Sequence, residues 1–289
     1  GLLVRSAEAM RALAEVEIVA LDKTGTLTRG EPEVVFGDDA TLRIAAALER
    51  HSAHPVARAV LAEAARRGIP LPASLNVVEA VGVGVRGVVD GRPREVRRGA
   101  GPGEIEVVGV GVLRLRDALR PDAARTVAAL KARGLRVVLV SGDHAEVAEA
   151  TGRAAGVDEV VGAVGPEAKA AWVRAQPGKV LFVGDGVNDG PALAAAHAGI
   201  AMGAGAASSV LVADAVVAED GLGPVLAGLR AAAATRDAVR GNAIRSVIYN
   251  ASAVTAALLG LVNPLVAAVL MPVSSALVLW GAGRVERST

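Results

Sequence analysis

Cysteine is absent from this chain of 289 residues, and its absence excludes disulfide bonds. A strong charge imbalance is also lacking: the formal net charge is +1, so composition gives no case for a nucleic-acid partner. No secretory signal peptide is recognisable, and the first residue is Gly1 instead of Met. Hydrophobic residues make up 52% of the chain, more than one small soluble domain needs. We therefore expect a piece of a longer protein that carries apolar segments beside its soluble part.

Charged residues are nearly missing from residues 243–283, where Arg245 is followed by no other until Arg284. Because a membrane span needs about 20 apolar residues, this length predicts two transmembrane helices, 244–262 and 265–281. Arginines flank the pair at both ends, so the positive-inside rule predicts that both ends are cytoplasmic. A helical hairpin buried in a soluble protein is the alternative.

The heptapeptide 22–28, DKTGTLT, follows the apolar run 16–21 and is the most informative stretch of the chain. A carboxylate such as Asp22, at the carboxyl end of a parallel strand, can attack a phosphate and become an aspartyl phosphate. Gly25 lets the backbone turn sharply, while Lys23 and the threonine hydroxyls can donate hydrogen bonds to phosphate oxygens. A strand that merely ends in an Asp and Thr turn would explain part of this string but not all of it.

Apolar segments alternate with helical patterns through the middle of the chain, which predicts a doubly wound parallel α/β sheet. The predicted strands are 137–140, 160–164, 180–183 and 199–202. The predicted helices are 122–133, 145–155 and 167–175, with C-terminal caps at Gly134 and Gly156. Because open α/β sheets bind ligands at the carboxyl ends of their strands, we expect the polar residues that follow these strands to converge.

Polar motifs follow the strands in the order Asp117-Ala118-Leu119-Arg120-Pro121, Ser141-Gly142-Asp143, Lys169 and VGDGVNDGPAL at 183–193. Transfer of a phosphoryl group to a carboxylate needs a divalent cation and fixed positive donors. We expect Asp22 and Asp185, with the Thr24 carbonyl, to bind Mg²⁺, which prefers a few hard oxygens. Lys169 and Ser141 are expected to hold phosphate oxygens, although each taken alone would be an ordinary helix lysine or turn residue.

These motifs, in this order, resemble the signatures of P-type ATPases, which are ion pumps with a haloacid-dehalogenase-like catalytic domain. Gly190 stands where that family usually has Ala. The resemblance implies catalytic roles for Gly142, Asp143 and Asn188 as well. Asp189 is expected either to cap the following helix or to orient a water on the metal.

The resemblance also implies a domain organisation. The fold would be α/β, with a haloacid-dehalogenase-like Rossmannoid phosphorylation domain formed by residues 1–36 and 113–240. A small α+β nucleotide-binding domain would be inserted at residues 37–112. Two transmembrane helices and a C-terminal tail would occupy residues 241–289.

The segment 49–55, ERHSAHP, lies in this insertion and resembles the E-x-x-S-x-H-P pattern of heavy-metal P-type ATPases. The resemblance implies that Glu49, His54 and Pro55 take part in ATP binding, where an imidazole can stack on adenine or hydrogen bond to it. Pro55 would also start a helix over residues 56–67. An isolated His-Pro pair would instead indicate a loop before a helix.

Three glycines, Gly82, Gly84 and Gly87, form a G-x-G-x-x-G string that is weak by itself as a dinucleotide fingerprint. We expect Gly82 and Gly84 to let the backbone approach the nucleotide closely. The run 91–103 lacks the Asn that the family usually has in this region.

Polar residues in the predicted membrane helices resemble the N-x6-Y-N and M-x-x-S-S patterns of copper-transporting P-type ATPases. The resemblance implies that Tyr249, Asn250, Met271 and Ser274 bind the transported ion. A thioether suits Cu(I) more than Zn²⁺, and the spans lack the acidic residue and lysine expected of zinc-type relatives. Met271 and Ser274 could instead pack between helices, and Thr255 stands where the copper pattern has Pro.

The implied function is the catalytic and C-terminal membrane part of an ATP-driven pump that moves Cu(I), for export or for oxidase assembly. The implied cofactors are ATP and Mg²⁺, and the implied location is the plasma membrane, with the catalytic domains in the cytoplasm. Its partners would be a heavy-metal cation, membrane lipid, a copper chaperone and the missing N-terminal part, namely six helices and an actuator domain. The copper-pump Cys-Pro-Cys would also lie in that missing part.

Two readings from other classes stay open. One is a membrane-anchored phosphatase of the dehalogenase-like superfamily, which would usually have Asp as general acid where this chain has Thr24. Thr at this position favours a long-lived phosphoenzyme instead. The other is a non-catalytic nucleotide-binding regulator, which ATP binding and its dependence on His54 would distinguish.

Overall fold

The computed structural model describes residues 1–52, 54–80, 84–101, 103–185, 189–203 and 212–260. Within these ranges the chain forms a seven-stranded sheet and a six-stranded sheet. The strands of the first sheet are β1 (Leu2–Val4), β2 (Ile18–Leu21), β9 (Arg136–Val140), β10 (Glu159–Val161), β11 (Val180–Gly184), β12 (Ala198–Met202) and β13 (Ala215–Val217). Those of the second are β3 (Thr28–Phe36), β4 (Ser74–Ala80), β5 (Gly84–Val89), β6 (Arg92–Arg98), β7 (Glu104–Val107) and β8 (Gly111–Leu119). The helices are α1 (Ala7–Ala14), α2 (Asp39–Glu49), α3 (Pro55–Arg66), α4 (Ala123–Lys131), α5 (Ala145–Ala155), α6 (Pro166–Ala175), α7 (Gly190–Ala195) and α8 (Gly223–Leu258).

The first sheet has the strand order β1-β13-β12-β11-β2-β9-β10 and is parallel except for the edge strand β1. Strands are added on both sides of β2, so the prediction of a doubly wound parallel α/β sheet is confirmed. This order places the carboxyl ends of β2, β9 and β11 next to one another, and the chain leaves β2 at Asp22.

Both faces of this sheet are covered, which explains why its strands are continuously apolar. Alternate residues such as Val19 and Leu21 pack with α1, α4 and α8 on one face. Ile18 and Ala20 pack with α6 and α7 on the other. A strand buried on both sides has little freedom to move, so Asp22, the residue that follows β2, is attached to a rigid part of the sheet.

Most elements that the sequence predicts in this domain are confirmed within two residues at either end. The prediction of a strand over 160–164 was too long, because β10 ends at Val161. The backbone then turns at Ala163, whose φ of 58° cannot continue an extended strand. Gly156 caps α5 in the left-handed conformation, whereas Gly134 lies two residues beyond the cap of α4, Ala132.

The second sheet is antiparallel, with the order β3-β8-β7-β6-β5-β4, and the helices α2 and α3 pack against it. Leu42, Leu48 and Leu113 are fully buried in this second core. Strands β3 and β8 carry the chain into and out of this unit and pair with each other. The second sheet therefore extends across the boundaries predicted near residues 36 and 112.

Helix α8 is a single helix of 36 residues that begins at the first sheet. Its C-terminal part carries exposed apolar side chains, including those of Val247, Ile248 and Leu258. Of the helices in the described part of the chain, none combines the length and the apolar character that crossing a membrane requires. The predicted span 244–262 begins within α8, and the predicted span 265–281 lies outside the described residues. The transmembrane hairpin therefore stays a prediction.

Candidate active site

Asp22 is held at the centre of the first sheet. The strand before it, β2, is buried throughout, and the amide of Asp22 donates a hydrogen bond to the carbonyl of Val183 (2.9 Å). The loop that follows turns at Gly25, whose φ is 74°. A β-carbon at Gly25 would lie 3.3 Å from Cβ of Asp185, so glycine lets the loop pass close to that carboxylate.

Lys169, from α6, lies between two buried carboxylates. Its Nζ is 2.5 Å from Oδ1 of Asp22 and 2.7 Å from Oδ1 of Asp189. All three side chains are almost completely buried. The structure thus brings together residues from the carboxyl ends of β2 and β11 and from α6, and Asp22 and Lys169 alone stand 147 positions apart in sequence.

The electrostatics of this cluster favour the binding of positive charge. Burial and the negative charge of Asp189 raise the pKa of Asp22 to about 7, although Lys169 acts in the opposite sense. Burial alone would lower the pKa of Lys169, but the two carboxylates outweigh it and the pKa lies above its ordinary value. One ammonium group therefore faces two carboxylates, so the buried site has more acidic groups than basic ones.

The donor chemistry of this site suits a magnesium ion, but among the described residues no three His, Cys, Asp or Glu side chains are gathered into a metal-binding group. Oδ2 of Asp189 is buried and has no hydrogen-bond partner among the described residues. Asp185 lies against the loop that follows Asp22, with its Oδ2 3.8 Å from the place that a β-carbon on Gly25 would take. Carboxylate oxygens close to a backbone loop are the hard donors that Mg²⁺ prefers, and a buried oxygen without a partner is costly unless a ligand or ordered water satisfies it.

The motif Ser141-Gly142-Asp143 follows β9 beside this cluster. The hydroxyl oxygen of Ser141 is buried and accepts a hydrogen bond from the amide of Asp143 (3.1 Å). Oδ2 of Asp143 lies 2.5 Å from Nζ of Lys23, so in this structure Lys23 is paired with a carboxylate. A β-carbon at Gly142 would come no closer than 3.4 Å to the carbonyl of Val164.

From the sequence, Arg120 was recognised only as part of the motif 117–121. The structure shows that its side chain binds the loop that follows Asp22. Its guanidinium group donates to the carbonyls of Gly25 and Thr26 in the loop after Asp22, each at 2.9 Å. The nearby Thr28 hydroxyl lies within hydrogen-bond distance of Asp117 (Oδ2, 2.6 Å). The sequence signal was the place of this motif in the order of motifs along the chain, and that order did not indicate these contacts.

The predicted nucleotide-binding residues lie at one end of α2 and at the start of α3. Glu49 is buried, and burial, with the negative charge of Glu79, raises its pKa to about 7. His54 is the N-cap of α3, with Pro55 as the first helical residue. Nδ1 of His54 accepts a hydrogen bond from the amide of Val56 (3.2 Å), so a neutral ring carries its proton on Nε2.

The remaining predicted site residues are placed as follows. Gly84 has a φ of 145°, and a β-carbon there would lie 2.1 Å from the carbonyl of Val96, so its glycine serves packing of β5 against β6. Tyr249 and Asn250 lie on α8, where the amide nitrogen of Asn250 donates to the Ser246 hydroxyl (3.4 Å). Outside the described residues lie Gly82, Asn188, Met271 and Ser274.

Comparison with known proteins agrees with this geometry. Residues 16–197 match the family described as haloacid dehalogenase-like hydrolase, which is more than half of the chain. The matched range contains both acidic motifs and Lys169. The chain therefore belongs to the haloacid dehalogenase-like hydrolases, and within them its homologues are heavy-metal P-type ATPases.

The relatives carry different metal names. A probable cobalt/nickel-exporting P-type ATPase of Mycobacterium bovis is 42% identical over 264 residues, covering 79% of this chain and 40% of the relative. Copper-transporting ATPase 1 of Rhizobium meliloti is 35% identical over 329 residues, covering 99% of this chain and 40% of the relative. The chain thus spans about 40% of the length of these curated relatives.

Solved structures show the same architecture. A zinc-transporting PIB-type ATPase in its E2.Pi state superposes with a TM-score of 0.80 at 29% identity, covering 99% of this chain and 52% of that one. A catalytic CPx-ATPase domain superposes with a TM-score of 0.70 at 30% identity, covering 79% of this chain and 94% of that one. The phosphorylation and nucleotide-binding folds of this class are therefore both present.

Proposed function

We propose that this chain is the catalytic and C-terminal part of an ATP-driven heavy-metal pump in which Asp22 accepts the γ-phosphoryl group. The observation that carries the proposal is the buried cluster of Asp22, Lys169 and Asp189 at the carboxyl end of the parallel sheet. The P-type ATPases among its relatives support the class of reaction.

In the proposed reaction a carboxylate oxygen of Asp22 attacks the γ-phosphorus of ATP. A new oxygen–phosphorus bond forms, the bond from that phosphorus to the β,γ-bridging oxygen breaks, and ADP leaves with the bonding electron pair. Lys169 keeps Asp22 in place before the reaction and can donate to the transferred phosphoryl oxygens afterwards. The Ser141 hydroxyl is the proposed second donor.

Asp22, Asp185 and the carbonyl of Thr24 are the proposed ligands of Mg²⁺. When bound, the ion would neutralise the charge that builds up on the phosphoryl oxygens. The adjacent Lys23–Asp143 ion pair holds the start of the Asp22 loop against the Ser141-Gly142-Asp143 turn. Among the described residues the Asp189 side chain makes no capping hydrogen bond to α7; it accepts one from Nζ of Lys169 instead, and would keep that ammonium group oriented towards Asp22.

ATP would be bound by the inserted unit, with Glu49, His54, Pro55, Gly82 and Gly84 as the proposed contacts. His54 supports this role because capping of α3 uses Nδ1 and leaves Nε2 to interact with a base. The division into residues 37–112 and residues 1–36 with 113–240 is proposed together with this assignment, with the boundaries moved into β3 and β8 because the second sheet includes both strands.

The transported ion is proposed to be Cu(I), bound by Tyr249, Asn250, Met271 and Ser274 in two membrane helices between residues 241 and 289. The exposed apolar side chains along α8 support a membrane location, and copper-transporting relatives match 99% of the chain. Because other relatives are named for cobalt/nickel and for zinc, metal-dependent ATP hydrolysis should be compared among Cu(I), Co²⁺, Ni²⁺ and Zn²⁺. The remaining pump domains and a copper chaperone are the proposed partners.

Phosphorylation by γ-labelled ATP with Mg²⁺, stopped with acid, tests the proposal. Label is expected on the parent chain, is expected to be cleaved by hydroxylamine as an acyl phosphate is, and is expected to be lost in Asp22→Asn. Asp237→Asn, which changes an exposed carboxylate on α8, is the matched control and should label like the parent. Equal labelling of Asp22→Asn and the parent would overturn the assignment of the nucleophile.

A separate titration distinguishes the pump from a non-catalytic nucleotide-binding regulator. A chain that binds ATP but takes up no label would be a regulator, or a catalytic unit that needs its other domains. Adding the upstream part of the pump restores labelling only in the second case.

A further inference from the structure

Arg120 donates hydrogen bonds to three consecutive carbonyls of the loop that follows Asp22. Its Nε donates to Thr26 and its Nη2 to Gly25, each at 2.9 Å, and its backbone amide donates to Leu27, also at 2.9 Å. The planar guanidinium group suits this arrangement because its donors have a fixed geometry. The shape of the loop therefore depends on the orientation of one side chain.

The remaining donor of this guanidinium group, Nη1, contacts a carboxylate oxygen of Asp220. Asp220 lies in the short connection between β13 and α8, 100 positions away in sequence. The side chain of Arg120 is only 10% exposed, whereas that of Asp220 is 82% exposed. Within the described part of the chain, Asp220 is the carboxylate that forms an ion pair with Arg120.

A second acidic residue, Asp122, also binds the connection between β13 and α8. Oδ2 of Asp122 accepts hydrogen bonds from the amides of Leu222 (2.7 Å) and Gly223 (2.9 Å), at the start of α8. Gly221 has a φ of 101°, and a β-carbon there would lie 2.8 Å from Oδ2 of Asp122. Residues 120 and 122 thus hold the start of α8, and residue 120 also holds the loop after Asp22.

A nearly buried guanidinium group is costly unless its charge is compensated. The two loop carbonyls supply only partial negative charge, and Asp220 supplies the full one. Without Asp220, the guanidinium group would gain by turning towards solvent, and its bonds to Gly25 and Thr26 would weaken. The ionic contact at the surface therefore stabilises the hydrogen bonds inside.

We propose that Asp220 is a positioning residue for phosphorylation: acting through Arg120, it holds the loop after Asp22 and links that loop to the start of α8. This inference rests on the proposed transfer of phosphate to Asp22. It adds a mechanical connection: if the loop moves on phosphorylation, residues 220–223 are the first part of the α8 region that should move with it. Helix α8, which leads to the apolar C-terminal region, begins there.

The first test compares Asp220→Asn with Glu219→Gln. Glu219 is the neighbouring carboxylate, and Arg120 pairs with Asp220 and not with Glu219 in the described part of the chain, so Glu219 is a matched control. Asp220→Asn should slow phosphoenzyme formation at saturating ATP about fivefold, the size expected of one partly buried ion pair, with ATP affinity unchanged. Asp220→Glu should recover most of the rate, and Glu219→Gln should match the parent.

Arg120→Lys separates charge from geometry. Lysine keeps the positive charge but cannot reach both carbonyls and the carboxylate together, so the rate should fall at least as far as in Asp220→Asn. An Asp220→Asn chain with the parent rate would overturn the inference. A fall in ATP affinity at an unchanged rate would overturn it as well, because the defect would then lie in nucleotide binding.

Hydrogen–deuterium exchange gives a readout that needs no phosphorylation. Amides in residues 23–28 and 222–226 should exchange faster together in Asp220→Asn and should match the parent in Glu219→Gln. Faster exchange confined to residues 222–226 would show that Asp220 acts only at the start of α8. That result would overturn the proposed link between α8 and the loop after Asp22. If the parent chain takes up no label, the proposed function fails, whereas this exchange experiment still decides whether the link exists.

Discussion

Gly184, the last residue of β11, and Asp189 are in contact. A β-carbon on Gly184 would lie 2.3 Å from Oδ2 of Asp189 and 2.9 Å from Cε1 of Phe182. The carboxylate that faces Lys169 can therefore take its position only because the strand ends in glycine.

Gly184→Ala should displace Asp189 and reduce labelling of Asp22 by at least tenfold. It should also lower the free energy of unfolding by about 1–3 kcal/mol, since overpacking a buried site forces neighbours to move. Urea denaturation and acid-quenched labelling measure the two effects. Gly190→Ala is the matched control, because a β-carbon there would meet no atom of the described residues within 4 Å. A Gly184→Ala chain as stable and active as Gly190→Ala would show that the contact does not matter.

Lys169→Met should be more damaging than any exposed lysine change. It removes the ammonium group from two buried carboxylates and should cost about 3 kcal/mol of folding free energy at neutral pH without Mg²⁺. The loss should be smaller in acid, where the carboxylates take up protons instead, and labelling should fall by more than a hundredfold. Lys179→Met, which breaks an exposed pair with Glu15, should leave the denaturation midpoint unchanged. Equal midpoints for the two variants would contradict this account.

Glu49 should make the stability of the inserted unit depend on pH. Its pKa is raised from the ordinary 4.5 to about 7, so folding favours the protonated acid. Below its unfolded pKa of 4.5, Glu49 does not reduce the free energy of unfolding. As the pH rises from there towards 7 the reduction grows, and above about pH 7 it stays constant. Glu49→Gln mimics the protonated form, so it should match the parent at about pH 4 and be more stable by about 1–3 kcal/mol at about pH 8.

Denaturation at these two pH values checks the prediction. Glu79→Gln should give a smaller gain of the same sign, because it removes only the neighbouring charge and leaves Glu49 buried. A gain for Glu49→Gln that is equal at both pH values would mean that packing, and not ionisation, is responsible.

His54 combines a structural role with the proposed nucleotide contact, and two substitutions can separate them. His54→Ala should lose the cap of α3, at about 1 kcal/mol, and also weaken ATP binding. His54→Asn should keep the cap, because Asn is a favoured N-cap residue, yet bind ATP as weakly as His54→Ala. Calorimetric titration with ATP and thermal denaturation measure the two properties. Normal ATP affinity in His54→Asn would restrict His54 to capping.

Much of the first sheet could be predicted because the relevant signals are local. Continuous apolar runs of four or five residues, each followed by a polar residue or glycine, indicate buried parallel strands. The helix over 145–155 was predicted at its observed bounds because Gly156 supplies a left-handed cap at its end. The end of β10 was missed because Ala163, a residue with no special preference for positive φ, makes the turn.

The contacts inside the site could not be predicted in the same way. Nothing in the residues around Lys23 indicates that it pairs with Asp143, and nothing around Arg120 indicates that it reaches Asp220. Those pairs depend on how separate strands and loops are placed relative to one another. The close approach of Gly84 to the carbonyl of Val96 likewise depends on the pairing of β5 with β6, which the residues around Gly84 do not indicate.

The sequence by itself indicated the class of this protein, because DKTGTLT and the later acidic motif, in this order, resemble the signatures of P-type ATPases. Tertiary structure alone decided which side chains meet: Lys169 between Asp22 and Asp189, and Arg120 between the loop after Asp22 and the start of α8. The physical reason is the distance along the chain over which each kind of interaction acts. Turn chemistry and hydrophobic period act over a few residues and are written locally, whereas an ion pair between residues 100 or more positions apart exists only once the sheet has been assembled.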